Sequence, residues 1–457
     1  MKIRELFNQK NIEFNRISFE NFQSVSIDSR DIKKDNIFCA LNGEKSDGHN
    51  YIESAIKNGA LCAIVERDYI EKNSQLKKFP LIIADNSLKA LQKSAKIYGE
   101  LINTKILAIT GSAGKTTTRK LICKVLESKY SVSQTKKNYN NHIGLPLSIL
   151  EIDENDDYAI IEMGANHVGE IASLCEIIKP DFGLITSISE AHIEGFGSIE
   201  NIQKTKFELF DSVKNDGYLF INNDDERIRN YDNFRKSKIT YGIKSDADYK
   251  LSIVNIDNFG IYTLKYKDKK IRLNSIGYGA VLNASASFAV GKKFGLSTDL
   301  IIQQLEFFET PKGRGNIIKL DGFSIIDDTY NASPKSVNLA IETLDKMNSD
   351  GKKIMVFGDM LEMGDLSEST HINIGVKIAK SNIDYLFCYG ENSKLTIDSA
   401  RNYKMTNAIY FDNKKNLSKT LNSIIKTDDI VYVKGSRGIK MEIIIDELKK
   451  LRQNNVV

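Results

Sequence analysis

The chain has 457 residues, 41% hydrophobic and 27% charged, which is ordinary for soluble globular domains and long enough for about three of them. A formal net charge of +4 is too mild to indicate nucleic acid without a clustered basic face, and no long block of like charge occurs. Five cysteines, odd in number and never spaced CxxC, argue against a disulfide frame or a zinc site and for reduced, mostly buried thiols. The opening MKIRELFNQKNIEF is charged throughout and lacks the apolar core of a secretory leader. There is also no uncharged run of about 18 residues to span a membrane. A cytoplasmic protein without membrane insertion is expected.

Residues 1–103 read as a first, smaller α/β unit. SVSIDSR (Ser24–Arg30) precedes a strand NIFCAL (Asn36–Leu41), the polar loop NGEKSDGHN, a helix from about Tyr51 and a strand CAIVE. A third strand, PLIIAD, and a helix near Ser87–Leu101 follow. The Gly43–Asn50 loop mixes Gly, Asp, His and Lys, a composition that suits a hydrogen-bonding ligand surface, although composition alone favours a plain surface loop. His49 by itself is no evidence of a metal.

Residues 104–312 alternate strand and helix, the pattern of a mostly parallel sheet covered by helices. The unit opens on KILAITGSAGKTTTR (Lys105–Arg119). Ile106, Leu107, Ala108 and Ile109 suit a strand buried on both faces; Thr110–Gly114 is a glycine-rich turn; Lys115, Thr116 and Thr117 lead into a helix. Strand, glycine turn and helix make a phosphate cradle. Backbone N–H groups point into the turn, the helix N-terminus adds partial positive charge, and Lys115 adds a full one. The hydroxyl after the lysine is the usual ligand of a nucleotide-bound Mg²⁺. The first glycine of GxxxxGKT would fall at Ile109, so the loop is a TGSxGKT variant. It predicts binding of ATP or GTP.

Further on, Asn138, Asn140 and Asn141 lie ahead of a helix beginning near Pro146, and Tyr158–Glu162 reads as a buried strand ending in an acid. A carboxylate at the C-terminal end of a strand beside the cradle is placed to hold Mg²⁺. FGLITSISEAHIEGFGS is another buried strand with His192 and Glu194 in the loop beyond it, and the next helix carries Lys204 and Lys206. INNDDERI puts Asn222 and Asp224 at a further strand end. In IGYGAVLNASASF the GxG is too short for a dinucleotide motif, no strong strand precedes it, and the helix with Asn283 is the more informative content. After GRGNI (Gly313–Ile317), residues 313–457 repeat strand, polar loop and helix, and polar loops at strand C-termini make this unit a binding domain.

TGSAGKTT, NYNNHIGLP, EMGANHVGEI, AHIEGFGS, KTKFE, Asn283, Gly313-Arg314, DDTYNASP, and GDMLEMG with His371, in that order over nearly the whole chain, together resemble the Mur ligases. Two stretches, EMGANHVGEI and GDMLEMGDLSESTH, look most like the branch that adds D-alanyl-D-alanine to UDP-N-acetylmuramoyl-tripeptide. The resemblance implies three α/β domains: 1–103 binding the UDP-substrate, 104–312 a P-loop ATPase, and 313–457 Rossmann-like, closing over ATP and binding the incoming dipeptide. It implies amide formation driven by ATP through an acyl phosphate, in a monomer.

By the same resemblance, Gly111, Ser112, Ala113, Gly114, Lys115, Thr116 and Thr117 cradle the phosphates, with Thr116 and Glu162 on one Mg²⁺ and His192 on a second. Lys206 matches a lysine that the family carbamylates, a reaction that turns a cation into a metal-binding anion; Lys204 is the alternative in register. Read without the family, Lys206 is a surface helix lysine and His192 a satisfied loop histidine. Asn283 corresponds to the adenine contact, and Arg314, Asp328 and Tyr330 to nucleotide contacts from the last domain. Asn138, Asn140 and Asn141 correspond to the stretch meeting the muramoyl peptide, their plain alternative being loop capping. Ser29, Arg30 and His49 fall in the UDP-recognition region. Relatives carry GxHN before the adenine-contact Asn, whereas Gly279 and Ala280 stand here, so local support of that helix is expected to differ. The competing readings find less: no DNPR-like stretch for the ligase of the third peptide residue, and only NKKN (Asn413–Asn416) for a GTPase. A nucleotide-binding scaffold without ligase activity rests on Gly279 and Ala280 alone.

Overall fold

The structure, a computed structural model, describes residues 1–43, 46–232 and 236–453, so Glu44 and Lys45 of the Gly43–Asn50 loop lie outside the described residues. Four sheets carry the described residues. In the first, Glu13–Asn15, Leu81–Ala84, Cys62–Glu66, Asn36–Cys39 and Ser24–Ser26 lie side by side in that order, antiparallel only at the Glu13–Asn15 edge. The Ser87–Leu101 helix closes it, with Ala90, Leu91 and Ala95 facing the core and the Asn86 side chain capping the Lys89 N–H. The Tyr98 hydroxyl donates to the Ile152 carbonyl at 2.6 Å and ties this helix to the next unit.

The central sheet is wholly parallel. From one edge to the other it runs Tyr249–Lys250, Ser237–Gly242, Tyr218–Asn222, Phe182–Ile185, Lys105–Thr110, Tyr158–Glu162 and Val132–Gln134. Ile106–Ile109 are almost fully buried because helices cover both faces, which is why the run is continuously apolar. Chain order reverses between the Lys105–Thr110 and Phe182–Ile185 strands, and the crevice beyond their C-terminal ends is where an open α/β sheet holds a ligand.

The strict alternation expected through residue 312 breaks after Lys250. Ser252–Ile256, Ile261–Tyr266 and Lys269–Ile276 form a separate antiparallel sheet. In the last of these, Ile271, Leu273 and Ser275 point inward while Arg272 and Asn274 point out, a period of two. A strand of eight residues therefore does run directly into Gly277, correcting the expectation that no strong strand precedes the GxG. The chain turns there at φ +78° into the Gly277–Lys293 helix.

The last sheet is parallel except for its first hairpin, with the order Asn316–Leu320, Phe323–Asp328, Ile430–Lys434, Lys353–Gly358, Tyr385–Tyr389 and Ala408–Phe411. His371 is a satisfied core histidine. Its Nδ1–H donates to the Ser367 carbonyl at 2.7 Å, and Nε2 accepts the Met360 N–H at 3.1 Å, fixing the loop after Gly358. All five cysteines are free and buried, and burial pushes their thiols up, as for Cys175, raised to about 12. Among the described residues no helix is long and apolar enough to cross a membrane.

Candidate active site

Gly111 stands where a β-carbon would lie 2.1 Å from Thr186 Oγ1, at φ +143°, so only glycine lets the loop pack on the neighbouring strand end. Segment 186–189 then holds the cradle. The Ser112 N–H donates to the Ser187 carbonyl (2.8 Å), the Ser112 hydroxyl to the Ser189 carbonyl (2.9 Å), and the Thr186 hydroxyl to the Ala113 carbonyl (2.5 Å). Gly114, at φ +84°, begins the Lys115–Leu126 helix, whose N-terminus faces the crevice. Lys115 Nζ folds back to the Gly111 carbonyl at 2.6 Å. Burial, and to a lesser degree Arg314, pull its pKa down, while Glu162 opposes them.

Glu162 closes the adjacent strand, nearly buried. Its Oε1 accepts the Thr116 hydroxyl at 3.2 Å and Asn140 Nδ2 at 3.0 Å. Thr116 Oγ1 in turn accepts Arg314 Nη2 at 3.2 Å, and the Arg314 guanidinium lies 3.9 Å from the centre of the Tyr330 ring. Asp328 accepts Lys434 Nζ at 2.5 Å and the Tyr432 hydroxyl at 3.1 Å. Asn283 Oδ1 accepts the Thr118 hydroxyl at 2.9 Å, one turn past the cradle.

His192 does not lie in an open loop. It caps the short Ile193–Phe196 helix in the left-handed region (φ +57°), and its Nδ1 pairs with Glu362, itself left-handed (φ +62°), across from the last unit. Burial lowers its pKa against the pull of Glu362, and Lys115 and Lys206 push the same way as burial. Lys206, far from being a surface lysine, is 3% exposed; its ammonium faces the Phe196 ring at 5.5 Å, and it forms no ion pair among the described residues. Burial, then the nearby Lys115 charge, bring it down to about 7. Lys204, on the same helix, is exposed.

A cavity of about 480 Å³ joins these groups, with Ser112–Thr118, Glu162, His192 and Asn283 on one wall and Arg314, Tyr330, Lys335, Glu362 and Arg437 on the other. Asn138 and Asn140 also line it. Asn141 does not; its Oδ1 accepts the Ile143 and Gly144 N–H groups, the capping alternative. Ser29 and Arg30, in the turn after the Ser24–Ser26 strand, and His49, in the short helical turn Gly48–Tyr51, belong to the first unit and do not line the cavity. Arg30 is exposed and grips Asp28 with two bonds, holding that carboxyl down to about 2. Ser29 is buried, its carbonyl accepting Asn58 Nδ2 at 2.8 Å. His49 departs from its expected place on a ligand surface. It is 3% exposed and stacked on Tyr69; its Nε2 accepts the Glu66 N–H and its Nδ1–H donates to Asp47, leaving no ring nitrogen for a substrate.

The donors at Thr116 and Glu162 are hard oxygens, and no group of three His, Cys, Asp or Glu among the described residues could enclose an ion. That set fits Mg²⁺, which keeps waters and takes most of its remaining ligands from substrate phosphates. Lys335, Glu362 and Lys434, which line the cavity, and Arg119, which is buried behind Glu162, were missed in the sequence, because a charged residue gives no local sign of which tertiary neighbours it meets. Lys335 Nζ lies 3.4 Å from Asp225 Oδ2, joining the last unit to the central one, and Asp225 also accepts the Ile188 N–H that leads to His192. The pair is partly exposed, so Lys335→Met is expected to raise KM for ATP by at most about fivefold with kcat little changed. Phosphate release at low and high salt checks this, and salt should erode the wild-type advantage.

A parallel sheet with a glycine turn, a lysine, a hydroxyl and a neighbouring strand-end acid defines a P-loop protein that works on nucleotide phosphates. Family models match residues 21–105 as Mur ligase family, catalytic domain; 109–291 as Mur ligase middle domain; and 313–437 as Mur ligase, glutamate ligase domain. The chain is 35% identical to the UDP-N-acetylmuramoyl-tripeptide–D-alanyl-D-alanine ligase of Bacillus subtilis (strain 168), over 93% of this chain and 92% of that one. It is 29% identical to the Escherichia coli (strain K12) ligase of that name, over 93% and 94%. The crystal structure of MurF from Acinetobacter baumannii superposes with a TM-score of 0.83 at 28% identity, covering 93% of each chain. MurF ligase from Thermotoga maritima in complex with ADP superposes at 0.81 and 29% identity, covering 95% and 98%. The chain belongs to the Mur ligase family.

Proposed function

We propose that this chain is an ATP-dependent ligase that adds D-alanyl-D-alanine to UDP-N-acetylmuramoyl-tripeptide in peptidoglycan precursor synthesis, forming a C–N bond and releasing ADP and phosphate. The observation that carries it is the end-to-end match to ligases of that name, together with a cradle, a metal-side acid and a facing wall of cations around one cavity. Both reactants are anions: a peptide carboxylate must attack the γ-phosphate. Lys115 and Arg314 neutralise the phosphate oxygens, and the loop N–H groups hold the phosphates in line. Thr116 and Glu162 would hold Mg²⁺, which would supply further charge neutralisation at the phosphoryl group. The dipeptide amine then displaces phosphate from the acyl phosphate, making the amide.

His192, held neutral by burial, and Lys206 are the groups for a second ion. As an ammonium Lys206 would repel a cation; with a pKa near 7 it offers a free amine that takes up CO₂, giving a carbamate anion and a proton. Residues 1–103 carry the UDP end, with Arg30 and Ser29 at the Asp28 turn; 104–312 hold ATP; and 313–457 close over it and receive the dipeptide. Asn283, Arg314, Asp328 and Tyr330 attend the nucleotide, and Asn138 and Asn140 the peptide. The enzyme works as a cytoplasmic monomer. A substrate-pair screen tests the assignment: phosphate release is expected only with UDP-muramoyl-tripeptide and D-alanyl-D-alanine together. Turnover with a free amino acid replacing the dipeptide would sink it.

A further inference from the structure

Arg119 has no part in the chemistry above, yet it is 2% exposed, among the most deeply buried charges of the chain. It follows Thr116 by three residues on the Lys115–Leu126 helix, so the two side chains share a face. Its contacts converge on one carboxylate and the strand beside it. Nε donates to Glu162 Oε2 at 3.3 Å, while Nη1 donates to Gln134 Oε1 at 2.8 Å and to the Thr135 carbonyl. Thr135 also braces the other side of Glu162, its hydroxyl accepting the Glu162 N–H at 2.9 Å. Glu162 thus has a tethered oxygen, Oε2, and a working oxygen, Oε1, which faces Thr116 and Asn140 at the cavity.

We propose that Arg119 is a positioning residue that ties back Oε2, leaving Glu162 a single oxygen for the nucleotide-bound cation, and so selects Mg²⁺ over Ca²⁺. This rests on reading Glu162 as a ligand of that cation. Mg²⁺ demands near-octahedral geometry at short distance and is served by one carboxylate oxygen; Ca²⁺ is larger, takes six to eight oxygens, and readily accepts both oxygens of one carboxylate. A guanidinium suits the tether because it is permanently charged and its planar fork fixes direction, with Nε on the carboxylate and Nη1 anchored on the strand. A lysine could keep the charge but not both arms.

The test is calorimetric binding of ADP with Mg²⁺ or with Ca²⁺, which reads the metal preference without turnover. Wild type is expected to bind ADP more tightly with Mg²⁺. Arg119→Met is expected to shrink that Mg²⁺-to-Ca²⁺ affinity ratio about tenfold, the usual scale for losing a group that orients a metal ligand, with Arg119→Lys between the two. Glu162→Gln should flatten the metal dependence altogether. If Glu162→Gln leaves the metal dependence intact, the reading of Glu162 as a ligand fails and this proposal with it. If Glu162→Gln flattens it while Arg119→Met keeps the wild-type ratio, only the proposal is overturned. Should the Met variant not show a cooperative melting transition, Arg119→Lys decides: a reduced ratio supports the tether and an unchanged one refutes it.

Discussion

Lys115→Ala is expected to lower phosphate release by about a hundredfold to a thousandfold, the cost of removing one preorganised charge aimed at developing negative charge. The site concentrates that effect on a single group. Lys115 Nζ is held 2.6 Å from the Gly111 carbonyl at the floor of the crevice, while Arg314 approaches from the other wall and already spends one donor on Thr116. Without the lysine, the loop N–H groups and Arg314 would face the γ-phosphate with less positive charge than the incoming carboxylate requires. Burial lowers the Lys115 pKa in the absence of nucleotide, and a bound polyphosphate would favour the charged form again. Steady-state phosphate release with both substrates, next to a melting curve showing an intact fold, checks the outcome. Turnover within tenfold of wild type would remove Lys115 from the mechanism.

Lys206→Ala should be nearly as damaging and should differ in kind, because a small carboxylic acid added to the variant is expected to restore part of its activity. The side chain is nearly fully buried beside Phe196 and close enough to Lys115 to feel its charge. An ammonium there is unfavourable, and CO₂ relieves the conflict by converting the neutral amine into an anion. The direction of the pH effect follows. With a pKa lowered to about 7, the amine is mostly neutral above neutrality and mostly protonated below it. At a fixed concentration of dissolved CO₂, wild-type enzyme stripped of CO₂ should therefore regain activity faster on the alkaline side. Normal activity of the alanine variant, with no response to added acid, would move the role to Lys204 or abolish it.

The cradle was legible because its chemistry is local: an apolar strand, two glycines, a lysine and a hydroxyl stand in a row from Ile106 to Thr117. Glu162 was legible for a related reason, since an acid ending a buried strand must emerge at the ligand edge of a parallel sheet. The 252–276 sheet was not recognised, although Ile271, Leu273 and Ser275 alternate with polar neighbours as a strand does. Lys206 could not be read as buried from its helix, because the packing of Phe196 over it is a tertiary event. His49 differs in the opposite way: the resemblance set it in a substrate-recognition region, while Asp47, the Glu66 N–H and Tyr69 enclose the ring. Nor could any window reveal that Glu362 meets His192, 170 residues away along the chain.

The two-walled cavity sets a condition on throughput. The cradle forms its floor, and Arg314, Lys335 and Glu362 reach across from a separate sheet, so a nucleotide seated there is roofed as well as held. Release of ADP and the bulky UDP-linked product is expected to require the roof to lift, a domain-scale displacement through solvent. Friction then enters the rate. As the medium is thickened with glycerol or sucrose, kcat should fall in proportion to relative viscosity, while small, partly roofed analogues that escape through the open side should turn over at a rate indifferent to it.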